Sequence, residues 1–404
     1  MRIRYMNLKK DKTNMMINQT KYHWLMALPA LLLAVGCSES ILPEGQDTGV
    51  AELQVSPQVV LTRGAIDAAD ASAVGTVLGS IAVYANSTTT NKKTNNYGLY
   101  TYSSSAWGNS ATDKIYLSAE EATIYAHYPA YQPGSNGEFQ SGSTALKATN
   151  SSGEYTESST ISISVFPGST GSVNAKIDFQ STDNSDSQTS TKDKILAASG
   201  EVDYMYADQS TAVKASYKNG SDSKTGKVTL AMKHALAMVS FRVYADHTYK
   251  NTGAFSKLVL ANKSGDTKNV LNNGGTTPTM KIKDGTITVG SSPAAVTYTR
   301  DIANYTLPKA TADTDQARAT AKNSAKKASI LVLPEGTADK SNVEATLTID
   351  NQDYKVALPG SNSAWEAGKN YLYTVKLSGS ELVISSVTVT EWTTVASDAS
   401  LDIK

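Results

Sequence analysis

Lys227-Val-Thr-Leu-Ala-Met-Lys-His-Ala-Leu-Ala-Met-Val-Ser-Phe-Arg-Val243 is the stretch that decides the fold class. Val228, Leu230 and Met232 alternate with polar or small residues, the two-residue period of a strand with one buried face, and the apolar run continues through Ala235 to Val243. Working outward toward the C-terminus, short strand candidates recur at Phe255 to Leu260, Thr279 to Ile282, Thr286 to Val289, Ala328 to Leu333, Glu344 to Ile349, Tyr354 to Leu358, Tyr371 to Leu377 and Leu382 to Thr390. Toward the N-terminus the series runs through Val202 to Ala207, Thr160 to Val165, Ala122 to His127, Lys114 to Leu117 and Ser80 to Tyr84. Ala51 to Thr62 reads as a strand that is bent or lies at a sheet edge, because Pro57 lacks a backbone N–H. Tracts of Ser, Thr, Gly and Asn separate the strands, and Asp183 to Thr191 is almost wholly polar, as a surface loop is. Sustained helical periodicity is scarce, and a short Ala-rich stretch near Asp313 to Lys327 is its best candidate. Short strands at regular spacing predict an all-β chain of two β-sandwich domains, with the boundary near Lys224 to Gly226 and the domains over residues 51–225 and 226–404.

The N-terminus reads as an export signal. Lys9, Lys10, Lys12 and Lys21 precede an apolar run from Trp24 to Gly36, which is shorter than the roughly 20 apolar residues that span a bilayer. Ala34, Val35 and Gly36 lead into Cys37, the chain's single cysteine, so residues 1–36 are expected to be a signal peptide removed at Cys37. Cleavage before a cysteine is the bacterial lipoprotein arrangement, in which Cys37 is acylated and tethered to the outer membrane. Ala34 departs from that pattern, where Leu is commoner, and an ordinary signal beside an incidental cysteine is the other reading. Residues 37–50 are polar with Pro and Gly and are expected to be a flexible tether. One cysteine cannot form an internal disulfide.

Composition narrows function by exclusion. The 37 basic residues balance 37 acidic ones, and no basic stripe carries interleaved aromatics, so nucleic acid is not an expected partner. No phosphate-binding Gly-rich loop, zinc-protease helix motif, Cys cluster or Gly-x-Ser-x-Gly elbow is present, and only 4 histidines occur. The sequence therefore implies no enzyme, no cofactor and no metal site. Glu120-Glu121 belongs to a solvated turn rather than to a catalytic pair.

Several residues invite chemistry, and a structural role suits each better. Asp203, Tyr204 and Tyr206 alternate along a strand, so Asp203 and Tyr204 face opposite ways, and a buried phenol needs a backbone partner. His234 sits between apolar residues without a second His at metal-ligand spacing, and is expected to be half-buried and satisfied. Trp365 and Gly368 read as a turn feeding the strand with Tyr371 and Tyr373. Trp107 falls in a Ser/Gly/Asn loop, where it either covers a core or stacks on a sugar.

Three stretches resemble the fimbrillin family, the lipoprotein pilins of Bacteroidales: Asp203-Tyr-Met-Tyr-Ala207, His234-Ala-Leu-Ala-Met-Val-Ser-Phe241, and a closing run with Trp365, Gly368, Tyr371, Tyr373, Ile384 to Val389 and Trp392. Together with the lipoprotein signal, their order extends the resemblance over nearly the whole chain. It implies two tandem transthyretin-like β-sandwiches and a surface fimbrium built with other fimbrial subunits by strand exchange. An arginine-directed protease would cut between Arg63 and Gly64 and take residues 51–63, the first strand, out of the first domain. Among the arginines after Cys37, Arg63 lies in a loop where cutting is easy, whereas Arg242 lies in a strand, and Arg300 and Arg318 complete the set. The donated strand would come from Leu382 to Lys404, with Leu382, Ile384, Val387 and Val389 as one apolar series and Val395, Leu401 and Ile403 as a second. The first series slips phase at Ser385-Ser386, which predicts a bulge or bend. The same segment also reads as the last strand of its own sandwich, leaving donation to residues 391–404. The remaining alternative is a non-polymerising anchor or a tip adhesin of this architecture, with a host glycan or protein as receptor.

Overall fold

A computed structural model describes residues 51–59, 71–87, 96–118, 121–132, 144–148, 155–168, 175–179, 195–198, 200–207, 214–216, 218–219, 222–223, 226–265, 269–334, 340–359, 365–379 and 381–391. They belong to one compact unit, Thr48–Lys404. The first elements are β1 (Ala51–Glu52), β2 (Gln54–Val59), α1 (Ala71–Leu78), β3 (Ser80–Ser87), β4 (Tyr97–Ser103), β5 (Ala106–Asn109), β6 (Tyr116–Leu117) and β7 (Ala122–Tyr128). Next come β8 (Thr160–Ser162), β9 (Lys176–Asp178), β10 (Ile195–Leu196), β11 (Met205–Ala207), β12 (Lys214–Ala215), β13 (Lys218–Asn219), β14 (Asp222–Ser223), β15 (Lys227–His234) and β16 (Ala237–Ala245). The last are β17 (Phe255–Asn262), β18 (Thr279–Lys281), β19 (Ile287–Thr288), β20 (Tyr298–Ala303), α2 (Asp315–Ser324), β21 (Lys327–Val332), β22 (Val343–Ile349), β23 (Gln352–Ala357), β24 (Lys369–Ser378) and β25 (Glu381–Glu391). The all-β expectation holds, and the one predicted helix is α2, started by Thr314, whose side chain accepts from the Ala317 N–H.

The first sheet has the order β2-β15-β11-β7-β3-β4-β5, with β12 also on β7. Its two faces feed two cores. Val55, Ile81, Val83, Ile124, Leu230 and Met232 join Val74 and Leu78 of α1 on one side. Tyr84, Tyr125 and Tyr204 meet Met280 of the small β19-β18-β8 sheet and Ile282 just after it, together with Met238 and Leu331, on the other. Two further sheets, β10-β21-β16-β24-β25 and β23-β22-β17-β20-β9, pack face to face over a third core that includes Phe241, Tyr373, Val375, Leu258, Leu347 and Trp365.

The changeover between sheets lies later than expected. β15 runs parallel to β2 and antiparallel to β11, so Lys227–His234 belongs to the first sheet and not to the domain it was expected to open. The chain passes to the next sheet after His234, where the Ala235 N–H donates to Tyr204 O and the Gly368 N–H to Leu236 O. Gly368 turns there at φ +69, a conformation that favours glycine. Burial alternates along β15 and is nearly continuous along β16, and their hydrogen-bonded neighbours assign them to different sheets.

Trp107 also departs from its expected loop. It lies in β5, opposite Tyr102 of β4 in a hairpin turning at Ser104 and Ser105, both at positive φ. The rings are 5.5 Å apart, and Trp107 packs on the α1-side core, the covering role of the two weighed. Tyr102 in turn lies against Gly75 of α1, where an added Cβ would sit 2.3 Å from the ring.

Candidate functional site

The first strand is an edge of the first sheet, and its geometry follows from its sequence. In β2, Val55, Pro57 and Val59 are buried, while Gln54 and Gln58 are exposed. The Gln54 N–H donates to Gly226 O at 2.7 Å. In a parallel ladder alternate N–H groups point to the neighbour, so Ser56 and Gln58 also aim at β15. Pro57 then faces the outer edge, where a missing N–H does no harm. Just ahead of β2 the strand is held on both edges. β1 pairs with β6, and the Leu53 N–H donates to Ile115 O at 2.8 Å. The buried Tyr100 hydroxyl donates to Leu53 O at 2.9 Å, and Lys114 Nζ meets Glu52 Oε2 at 2.7 Å. Burial and the nearby Glu52 charge push the Tyr100 phenol up, so it stays a donor. Gly226 passes so close that a Cβ there would lie 2.4 Å from Glu52 O.

At the other end of the chain, β25 pairs antiparallel with β24 along Lys369–Ser378 and forms the edge of its sheet. Leu382 is buried, and Ile384, Val387 and Val389 are half-buried against the sandwich core. The phase slip resolves as a bulge: Val375 faces Ile384 and Thr374 faces Ser386, so Ser385 is the extra residue, its Oγ donating to Thr374 O at 3.1 Å. Leu382 to Thr390 is thus the last strand of its own sandwich. Cys37, Arg63, Gly64, Val395, Leu401 and Ile403 lie outside the described residues.

The residues that looked chemical are structural. His234 Nδ1 lies 2.7 Å from Asp203 Oδ2 with both side chains almost wholly buried. His234 is more buried than expected, and its partner was not foreseen, although Met205 pairs with His234 in the ladder. The Tyr204 hydroxyl accepts from the Ser164 N–H at 3.0 Å, the backbone partner a buried phenol needs. Sequence reasoning missed two buried groups. Arg300 donates from Nε to Glu201 Oε1 at 2.7 Å and from its other nitrogens to the Phe166, Pro167 and Thr299 carbonyls. His127 contacts Tyr84 Oη at 2.8 Å through Nε2 and Pro129 O at 3.1 Å through Nδ1. A carbonyl only accepts, so Nδ1 carries the proton and Nε2 receives the Tyr84 hydroxyl. Burial holds the His127 imidazolium down to about 3. Among the described residues no group of His, Cys, Asp and Glu could hold a metal ion, and no helix is long and apolar enough to cross a membrane.

The fimbrillin-like family profile matches residues 79–392. The chain belongs to the fimbrillin-like family. This is a fimbrial family. The crystal structure of a fimbrial protein from Bacteroides vulgatus aligns with a TM-score of 0.50 at 12% identity, over 85% of this chain and 99% of that one. That of a candidate cell-adhesion protein from Bacteroides uniformis aligns at 0.48 and 18%, over 85% and 100%. At such identities the likeness to the first speaks to the fold alone. A search of curated proteins finds no match.

Proposed function

We propose that this fimbrillin-like protein is a structural fimbrial subunit, exported as a lipoprotein precursor acylated on Cys37, cut between Arg63 and Gly64, and polymerised by donor-strand exchange into adhesive surface fimbriae. In this reading residues 1–36 are the signal peptide, 37–50 the tether, and the two sandwich domains change over at His234 to Leu236. The observation that carries it is the place of β2, an edge strand whose apolar side chains complete the core that Leu230 and Met232 share. Taking Leu53, Val55 and Val59 out of that core exposes apolar surface worth on the order of 5–9 kcal/mol and bares the β15 edge. Both losses are made good by a foreign strand with alternating apolar residues. Of the donor region Leu382 to Lys404, the part up to Thr390 pairs with β24 within this chain, so in this reading donation falls mainly to residues 391–404, in which Val395, Ala399, Leu401 and Ile403 share one phase. Its partners are other fimbrial subunits, an arginine-directed protease and the outer membrane.

The test is the N-terminal sequence and mass of the protein recovered from the cell surface, beside an Arg63→Ala form. A native chain starting at Gly64, with a variant that stays acylated and monomeric, supports the subunit reading. If both begin at acylated Cys37, the reading fails in favour of an anchor or a surface adhesin.

A further inference from the structure

The grip on the first strand is lopsided. Over Glu52 to Gln54 it is held on both edges: by the Leu53 N–H to Ile115 O, the Gln54 N–H to Gly226 O, the Tyr100 hydroxyl to Leu53 O, and Lys114 to Glu52. From Val55 to Val59 its pairing is with β15 alone, and Pro57 has no N–H to offer on the outer side. We propose that Tyr100, Lys114 and Gly226 form a clamp on Glu52 to Gln54 that keeps the first strand seated after the chain is cut, so that cutting and release are separate steps. This rests on the strand-exchange reading above and adds its control.

The physical basis is where the weak end lies. The clamp holds the N-terminal end, whereas the one-sided end at Val59 is the end toward the proposed cut. A cut there frees the weak end only, and the strand frays from Val59 inward until it meets the clamp. The Leu53 carbonyl is buried with Tyr100 as a donor, and a hydrogen bond to a buried carbonyl is expensive to leave unmade. Gly226 has no side chain to hold Glu52 off, since a Cβ there would meet Glu52 O at 2.4 Å. An incoming strand therefore enters at the Val59 end and displaces the old one progressively toward Glu52. The subunit never exposes its whole groove to water.

Hydrogen exchange tests the clamp in the uncut, exported chain. Gln54 and Gln58 are the same residue type with exposed side chains, and both N–H groups point at β15, so their ratio isolates the clamp. Gln54 is expected to exchange at least about tenfold more slowly than Gln58, and Tyr100→Phe with Lys114→Met to remove most of that difference. Unchanged protection in β16 and β24 shows that the variant is folded. A wild-type Gln58 as slow as Gln54, or a ratio the variant leaves intact, overturns the clamp. The second arm cuts both proteins with an arginine-specific protease and follows the excised segment by native mass spectrometry. The wild type should retain the segment and the variant lose it about tenfold faster, while equal rates of loss count against the clamp. Polymer formation by the cut protein is scored separately. The expected exchange ratio without polymer leaves the clamp standing and sinks the subunit reading, whereas polymer without the ratio sinks the clamp alone.

Discussion

His127 gives the protein an acid-sensitive fold, and the effect has a magnitude. The imidazole is wholly buried between β7 and the 144–148 segment, in a chain that runs from the Ala148 N–H to Tyr84 Oη, to His127 Nε2, and from Nδ1–H to Pro129 O. Burial depresses its pKa from 6.5 to about 3. The unfolded chain therefore binds a proton at His127 below pH 6.5 while the folded chain does not. Its contribution to stability is full above that pH, falls as pH drops toward 3, and is constant below it. Between pH 7 and pH 5 the loss works out at about 2 kcal/mol. His127→Gln keeps an acceptor for Tyr84 and does not titrate, so the difference between the two proteins isolates this group from every other titration. Urea denaturation at both pH values should show the wild type losing about 2 kcal/mol more than His127→Gln. Parallel losses in the two proteins would refute the claim that the fold holds His127 neutral.

Arg300→Met strands the Glu201 carboxylate and three carbonyls in the interior and should cost about 3–5 kcal/mol in denaturation. Adding Glu201→Leu should recover much of that, and no recovery would mean that the carbonyl contacts matter more than the ion pair. Limited digestion with an arginine-specific protease should spare Arg300, which is fully buried, and Arg242, which donates to Thr374 Oγ1 at 2.9 Å within a central strand. Arg318 is paired only with Asp313 and Asp315 on the surface of α2, so among these three it is cut first; earlier cutting at Arg242 would contradict the sheet order. Gly75→Ala pushes a Cβ into the Tyr102 ring, which should cost about 1–3 kcal/mol and shift Trp107 fluorescence. Unchanged emission would show that α1 does not press on the hairpin.

Much of the architecture was legible because strands write their period into the chain. The alternation at Lys227–His234, the glycine turn at Gly368, the helix at Asp315–Ser324 and the phase slip at Ser385 are local events, each read from a handful of neighbouring residues. The β4–β5 hairpin was not legible, since Tyr97–Ser103 and Ala106–Asn109 mix glycine and serine into short strands that resemble loops. Residue order alone shows which face of an alternating strand such as β15 is apolar, and the motifs point to the family. Which strands are neighbours emerges in three dimensions: β15 lies beside β2 and not with β16, and β25 closes its own sandwich. The tertiary structure also brings Asp203 to His234, 31 residues away, and Glu201 to Arg300, 99 residues away. The physical reason is that burial is dictated by the side chain at each position. Pairing instead depends on how whole sheets close so that every buried donor, acceptor and charge finds a partner.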